Sequence, residues 1–120
     1  MSGLESKSFS DPDQRREFLD KGRVELVTIG DRVVGRATYE PGWHWSEHVG
    51  PIVGSERCHA THLGVVLSGR QRIRMDDGTE REMGPGEVFH IPPGHDGWAI
   101  GDEPCVVLDF LGMGALATAP

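Results

Sequence analysis

The chain has 120 residues, of which 37% are hydrophobic, and this is enough for one domain with one modest core. Its formal net charge of −7 repels phosphate backbones and anionic lipid surfaces, so we expect neither nucleic-acid nor membrane partners. The two cysteines are far apart and form no Cys-x-x-Cys pair, which argues against a zinc ribbon or a thioredoxin-type redox site. The polar N-terminus has no apolar run long enough for export, so the expected location is the cytoplasm, with both thiols reduced.

Residues 1–22 are predicted to form an N-terminal arm that contains one short helix. Asp11 suits the N-cap, Pro12 the first helical position, and Gln14 could complete a capping box. Gly22 is expected to end this helix.

From residue 23 onward the pattern changes to short strands separated by turns that contain glycine or proline. The turns recur about every 8–12 residues, a spacing typical of β-sandwiches and barrels. Asp77-Gly78 between two alternating runs predicts a hairpin. The expected strands are 23–29, 32–39, 59–67, 71–75, 79–83, 87–91, 97–100 and 105–111. The segment 50–57 is predicted to be a loop, and residues 112–120 a loosely held tail.

Two motifs in this region resemble those of the cupin superfamily. The matching positions are Gly86, Pro92 and Gly94 at the start of the second cupin motif, and His62 and Gly69 at the end of the first. Residues 41–110 resemble one subgroup of small single-domain cupins almost throughout. The resemblance implies an all-β fold, a double-stranded β-helix (jelly-roll) barrel over residues 23–111, and assembly as a homodimer.

The first motif is altered at its metal-ligand positions. His62 stands where the motif has glutamate. Counting forward along the motif places His48 at the first histidine and Gly50 at its partner, with 50–57 as an insertion. Counting backward from His62 places Glu56 and Cys58 there instead, and both alignments stay open.

The second motif is altered too, because His95 precedes the expected histidine position, which is held by Gly97. Several converging imidazoles suit a divalent transition metal, so the expected cofactor is one ion of zinc, iron, nickel or manganese. A cysteine thiolate would shift the preference toward zinc or ferrous iron. The candidate ligands are His48, Cys58, His62 and His95, with His44 and Glu56 as substitutes.

Strand alternation places Cys58 and His62 on one face and His59 on the other. Each candidate ligand also has a structural interpretation, as a buried hydrogen-bonded side chain, a turn cap or a group packed on tryptophan. His59 and His90 are expected to face outward, and Cys105 to lie in the core.

Three tryptophans and one glutamate beside the candidate ligands are predicted to bind a small organic molecule. These residues are Trp43, Trp45, Glu47 and Trp98. The indole rings would supply an apolar wall and N–H donors, although they could equally fill the mouth of the barrel as packing.

These residues favour a module that binds or senses a small molecule in a histidine-lined pocket with a metal. Cupin enzymes generally keep a recognisable ligand set with an acid or base, whereas here only Glu47 and Glu56 are candidate bases. The alternative is a metal-dependent enzyme of the dioxygenase or isomerase type that acts on a small organic substrate. A third hypothesis is a structural barrel whose pocket is vestigial.

Overall fold

The computed structural model describes residues 3–114, and within that range the chain forms nine strands and two four-residue helices. The elements are β1 (Gln14–Glu17), β2 (Gly22–Ile29), β3 (Arg32–Tyr39), α1 (Trp45–His48), α2 (Gly50–Val53), β4 (His62–Ser68), β5 (Arg70–Met75), β6 (Glu80–Met83), β7 (Val88–Ile91), β8 (His95–Ile100) and β9 (Cys105–Asp109). The predicted all-β architecture is confirmed. None of the helices in residues 3–114 has the length and apolar character needed to cross a membrane.

The strands form two antiparallel sheets with the core between them. One sheet has six strands in the order β1-β2-β3-β9-β4-β7, and the other has three in the order β6-β5-β8. Val24, Ala37, Val107 and Val66 lie opposite one another in successive strands of the larger sheet, and each is at most 1% exposed. Because side chains alternate between the faces of a strand, this row fixes the inner face of that sheet.

The hairpin predicted from Asp77-Gly78 is confirmed. It joins β5 to β6, whose pairing ends at Arg74 opposite Glu80. Gly78 has a φ of 91°, a left-handed conformation that favours glycine, and the side chain of Asp77 accepts a hydrogen bond from the N–H of Thr79.

The predicted N-terminal helix is wrong, because residues 14–17 form the edge strand β1 instead. Gln14 lies opposite Leu26 of β2, so the backbone groups of this segment are satisfied by the sheet. The Asp13 carboxylate accepts from the N–H of Thr28 rather than capping a helix. A capping pattern is a local signal, and a helix this short is marginal unless an apolar face packs against the core. Here the free edge of β2 is the better partner.

Parts of the two segments that were predicted to be a loop (50–57) and a loosely held tail (112–120) are ordered. Residues 50–53 form α2, and Gly54 ends it with a φ of 77°. Met113 is 2% exposed and belongs to the core, where it occupies the space left by the absent side chain of Gly35. The core therefore extends past residue 111, while 115–120 of the predicted tail lie outside the described residues.

Candidate metal centre

Three of the predicted metal ligands, Cys58, His62 and His95, converge inside the barrel. Each offers one ligand atom, and these atoms all lie within 4.8 Å of one another. The Sγ of Cys58 lies 3.4 Å from Nε2 of His62. All three residues are at most 7% exposed, so the cluster is screened from bulk water.

A backbone bridge sets Cys58 beside His95. The N–H of Cys58 donates to the carbonyl of His95 at 2.8 Å, and the N–H of His95 donates back at 3.2 Å. Residues that exchange both bonds lie directly opposite each other, with their side chains on the same face. The predicted strand 59–67 in fact begins at His62, so this bridge, and not strand alternation alone, turns Cys58 inward.

His95 faces the interior although it comes earlier than the motif predicts. It is the first residue of β8, and His95, Gly97 and Ala99 are all buried on the inner face of that strand. Moving a side chain by two residues along a strand keeps it on the same face, whereas a one-residue shift would reverse it. The shift therefore preserves an inward imidazole.

Asp109, at the end of β9, holds the imidazole of His62. Its Oδ2 lies 2.6 Å from Nδ1 of His62, and its Oδ1 accepts from the N–H groups of Leu111 and Gly112. The carboxylate accepts a hydrogen bond from Nδ1–H, which leaves the lone pair of a neutral imidazole on Nε2, facing Cys58. An ideal Cβ on Gly112 would come within 2.5 Å of Nδ1 of His62, so only glycine allows this close packing.

The imidazole of His95 is oriented in the same way by the backbone. Its Nδ1 lies 2.8 Å from the carbonyl oxygen of Pro92, which can only accept, so Nδ1 carries the proton. Both histidines thus present an unprotonated Nε2 when neutral. Fixing the tautomer through the remote nitrogen is how proteins prepare imidazoles for metals.

The charges in the cluster are strongly coupled. Burial would raise the pKa of the Cys58 thiol, but hydrogen bonds and charge from His62 and His95 lower it to about 6. Burial would lower the pKa of His62, but Asp109 and Cys58 raise it to about 9. At neutral pH the metal-free cluster therefore holds a thiolate beside an imidazolium. By contrast, burial raises the pKa of the Cys105 thiol to about 12.

The pKa of Asp109 lies below its ordinary value, although burial opposes this shift. Hydrogen bonding and charge from His62 outweigh the burial, helped by the two backbone N–H groups that the carboxylate accepts. Asp109 therefore remains ionised, although it has no exposed surface. An ionised, buried carboxylate of this kind keeps its imidazole partner in one orientation.

A small cavity of about 30 Å³ lies inside the barrel beside the cluster. It has room for about one water molecule. Trp43 and Trp45 line it together with His62 and His95. The Nε1 atoms of both tryptophans are buried and have no acceptor among the described residues.

The other predicted site residues lie outside the cluster: His44, His48, Glu47, Glu56 and Trp98. Nδ1 of His48 accepts from the N–H of His44, whose Nε2 lies 2.8 Å from Oδ2 of Asp96. The ring of His44 also packs 5.1 Å from that of Trp98. These contacts fasten α1 to β8. Glu47 and Glu56 are exposed at the surface.

The remaining histidines and Cys105 lie where the sequence indicated. His59 and His90 are exposed, and Cys105 is fully buried in the core. Asp109 was missed as a site residue. The signal available for it was a carboxylate in phase with the inward residues Cys105 and Val107 at the end of an apolar strand.

A sequence model described as "Cupin domain" matches residues 35–111, which is more than half of the chain. The chain belongs to the cupin family. This match and the two antiparallel sheets confirm the predicted jelly-roll fold of this cupin. No curated protein matches the chain.

Several solved structures are similar to this cupin. The polyketide cyclase RemF from Streptomyces resistomycificus is 21% identical, with 91% of this chain and 79% of that one covered and a TM-score of 0.65. A protein of unknown function from Rhizobium leguminosarum bv. viciae is 18% identical, with 91% and 96% covered and a TM-score of 0.59. Oxalate decarboxylase from Lactobacillus farciminis is 17% identical, with 88% and 32% covered and a TM-score of 0.63. This cupin spans 27% of another oxalate decarboxylase chain that it matches.

Proposed function

We propose that this cupin holds one transition metal ion through Cys58, His62 and His95 and binds a small organic molecule next to it. The observation that supports this most is the pair of oriented imidazoles beside a thiol whose pKa is lowered to about 6. A thiolate and two neutral imidazoles favour zinc or ferrous iron and suit manganese, which prefers oxygen ligands, least. Three protein ligands leave a coordination position open, as in metal sites that exchange ligands.

The cavity beside the cluster is large enough for a water molecule in the open coordination position of the metal. It has room for about one water and is lined by Trp43 and Trp45, whose buried Nε1 atoms have no acceptor among the described residues. A water held by the metal keeps one lone pair and would supply an acceptor for one of the two indole N–H groups. That tryptophan would then act as an orienting donor for the ligand in the open position.

A binding or sensing role fits the site better than turnover. The carboxylate nearest the cluster, that of Asp109, is already committed to His62 and to two backbone N–H groups. The predicted bases Glu47 and Glu56 are exposed and outside the cluster. A metal-dependent enzyme remains the second candidate because the three-ligand set leaves one position open to a substrate.

The test is the metal content of protein purified without a histidine tag, measured by mass spectrometry for wild type, His62→Ala and His90→Ala. We expect about one equivalent of metal in wild type and His90→Ala, and loss in His62→Ala, since His90 is an exposed histidine away from the cluster. Cobalt substitution adds a thiolate-to-metal absorption band only if Cys58 is a ligand. Wild-type protein that binds neither zinc nor iron would refute the proposal.

We also propose that the chain forms a homodimer through the outer face of β4 and β7. Leu63, Leu67 and Val88 on this face are 41%, 48% and 74% exposed. β7 ends the six-stranded sheet, so its outer edge has no strand beside it among the described residues. Contiguous exposed apolar side chains of this kind mark interaction surfaces, and a second copy would cover both the face and the edge.

A further inference from the structure

A second cavity, of about 220 Å³, lies outside the barrel interior and adjoins the metal cluster. Its lining residues are Trp45, Val53, Ser55, Arg57, Cys58, His59, Ala60 and Gly112. Trp45 also lines the interior cavity, and Cys58 belongs to the cluster, so the two spaces share a wall. The interior holds only about one water, so an organic molecule next to the cluster has to occupy this outer cavity.

The walls of the outer cavity divide into an apolar part and a polar part that contains the cation Arg57. Trp45, Val53 and Ala60 provide the apolar surface, while Arg57 and His59 are exposed at the rim. No carboxylate from residues 3–114 lines the cavity, although acidic residues outnumber basic ones in the chain, 19 to 12. This distribution favours an anion with a compact apolar body.

The guanidinium of Arg57 is held in place by two hydrogen bonds, and some of its N–H groups have no acceptor among the described residues. Its Nε donates to Oδ1 of Asp76 at 3.1 Å, and its Nη1 donates to the carbonyl of Glu56 at 2.9 Å. Its Nη2 has no acceptor in the part of the chain that the structure describes. The pair with Asp76 is exposed on both sides, so it neutralises the guanidinium only weakly. The remaining N–H groups suit a carboxylate, which a guanidinium binds through parallel hydrogen bonds.

The wall that carries Arg57 is built by the short segment that runs from α2 to Cys58. Residues 50–53 form α2, Gly54 turns the chain with a φ of 77°, and the hydroxyl of Ser55 donates to the carbonyl of Arg57. Val53 and Arg57 therefore face the same cavity from opposite ends of one short, ordered segment. This segment thus forms a pocket wall beside the proposed metal ligands.

We propose that the outer cavity binds a small organic monocarboxylate, with its carboxylate at Arg57 and its apolar body against Trp45, Val53 and Ala60. This inference rests on the proposed function, since it names the molecule bound next to the metal. A volume of 220 Å³ accommodates a molecule of roughly seven to ten non-hydrogen atoms, at about 30 Å³ for each displaced water.

The test is isothermal titration calorimetry of the zinc-loaded protein with benzoate, benzamide and inorganic phosphate. We expect benzoate to bind, benzamide to bind at least tenfold more weakly because it lacks the charge, and phosphate to bind no better than benzamide because it lacks the apolar body. Phosphate binding as tight as benzoate would assign a general anion site and overturn the proposal, and so would equal binding of benzoate and benzamide.

Two variants test the contributions of the polar and the apolar wall of the cavity, and a third variant is their control. Arg57→Leu is expected to weaken benzoate binding by about tenfold or more, and Val53→Trp to abolish it by filling the cavity. Arg15→Leu is the matched control, because Arg15 is also an exposed arginine paired through its Nε to one carboxylate, but it lies on β1. Unchanged benzoate binding in Arg57→Leu would refute the assignment.

Metal content measured on the same samples distinguishes this inference from the proposed function. All three variants are expected to retain about one equivalent of zinc. If wild type binds zinc but no carboxylate, the inference fails and the metal proposal stands. If wild type binds no metal but shows Arg57-dependent benzoate binding, the carboxylate pocket stands and the metal proposal fails.

Discussion

Replacing Asp109 with asparagine tests the tautomer on which the proposed metal site depends. The substitution keeps the side-chain shape, and one amide oxygen can still accept from the N–H groups of Leu111 and Gly112. The amide NH₂ would then take the place of Oδ2, 2.6 Å from Nδ1 of His62. Two donors cannot face each other at that distance, so His62 is expected to move its proton to Nε2, the atom that faces Cys58.

The loss of the His62 orientation is expected to lower the affinity for zinc. Removing such an outer partner of a metal-binding histidine typically lowers metal affinity by about 10–100-fold, which is about 1.4 to 2.7 kcal/mol. We expect zinc affinity of Asp109→Asn to fall by this amount in competition with a chromophoric chelator. Glu25→Gln is the control, because Glu25 is also a buried carboxylate, bonded to Arg36 and remote from the cluster. Wild-type zinc affinity in a folded Asp109→Asn protein would show that the tautomer does not control binding.

The remaining predictions concern the thiols, the packing and the assembly. In metal-free protein, alkylation of Cys58 by iodoacetamide should slow as pH falls through about 6, where its thiolate is protonated, and zinc should suppress the reaction. Mass spectrometry should find Cys105 unmodified, because its thiol has no exposed surface and a pKa of about 12, whereas Cys58 lines the outer cavity. A Cys58 midpoint near 9 would contradict the ion pair. Gly112→Ala should lower stability by about 1–3 kcal/mol in chemical denaturation, because the new methyl group overlaps His62; an unchanged midpoint would contradict that packing. Leu63→Glu should convert a dimer into a 13.1 kDa monomer in light scattering, and wild-type protein that is already monomeric would refute the proposed interface.

Local signals in the sequence predicted local structure well and long-range partners poorly. The hairpin at Asp77-Gly78 was found because its turn chemistry and its alternating flanks lie within a few residues. The N-terminal helix was wrong because its capping signal competes with the edge of β2, which no local window contains. Cys58 and His95 were found as separate candidates, but their backbone bridge joins segments far apart in the chain. Asp109 was missed for the same reason, because its role appears only when β9 is placed beside β4.

The charge of the proposed metal site is expected to affect carboxylate binding in the outer cavity. The metal-free cluster holds the Cys58 thiolate and the His62 imidazolium, whose charges cancel. A divalent ion bound by that thiolate and two neutral imidazoles carries a net charge of about +1, because binding displaces the His62 proton. Loading the metal therefore adds one positive charge beside the cavity that contains Arg57. Zinc-loaded protein should bind benzoate more tightly than metal-free protein, and equal affinities in calorimetry would show that the carboxylate lies too far from the metal to sense its charge.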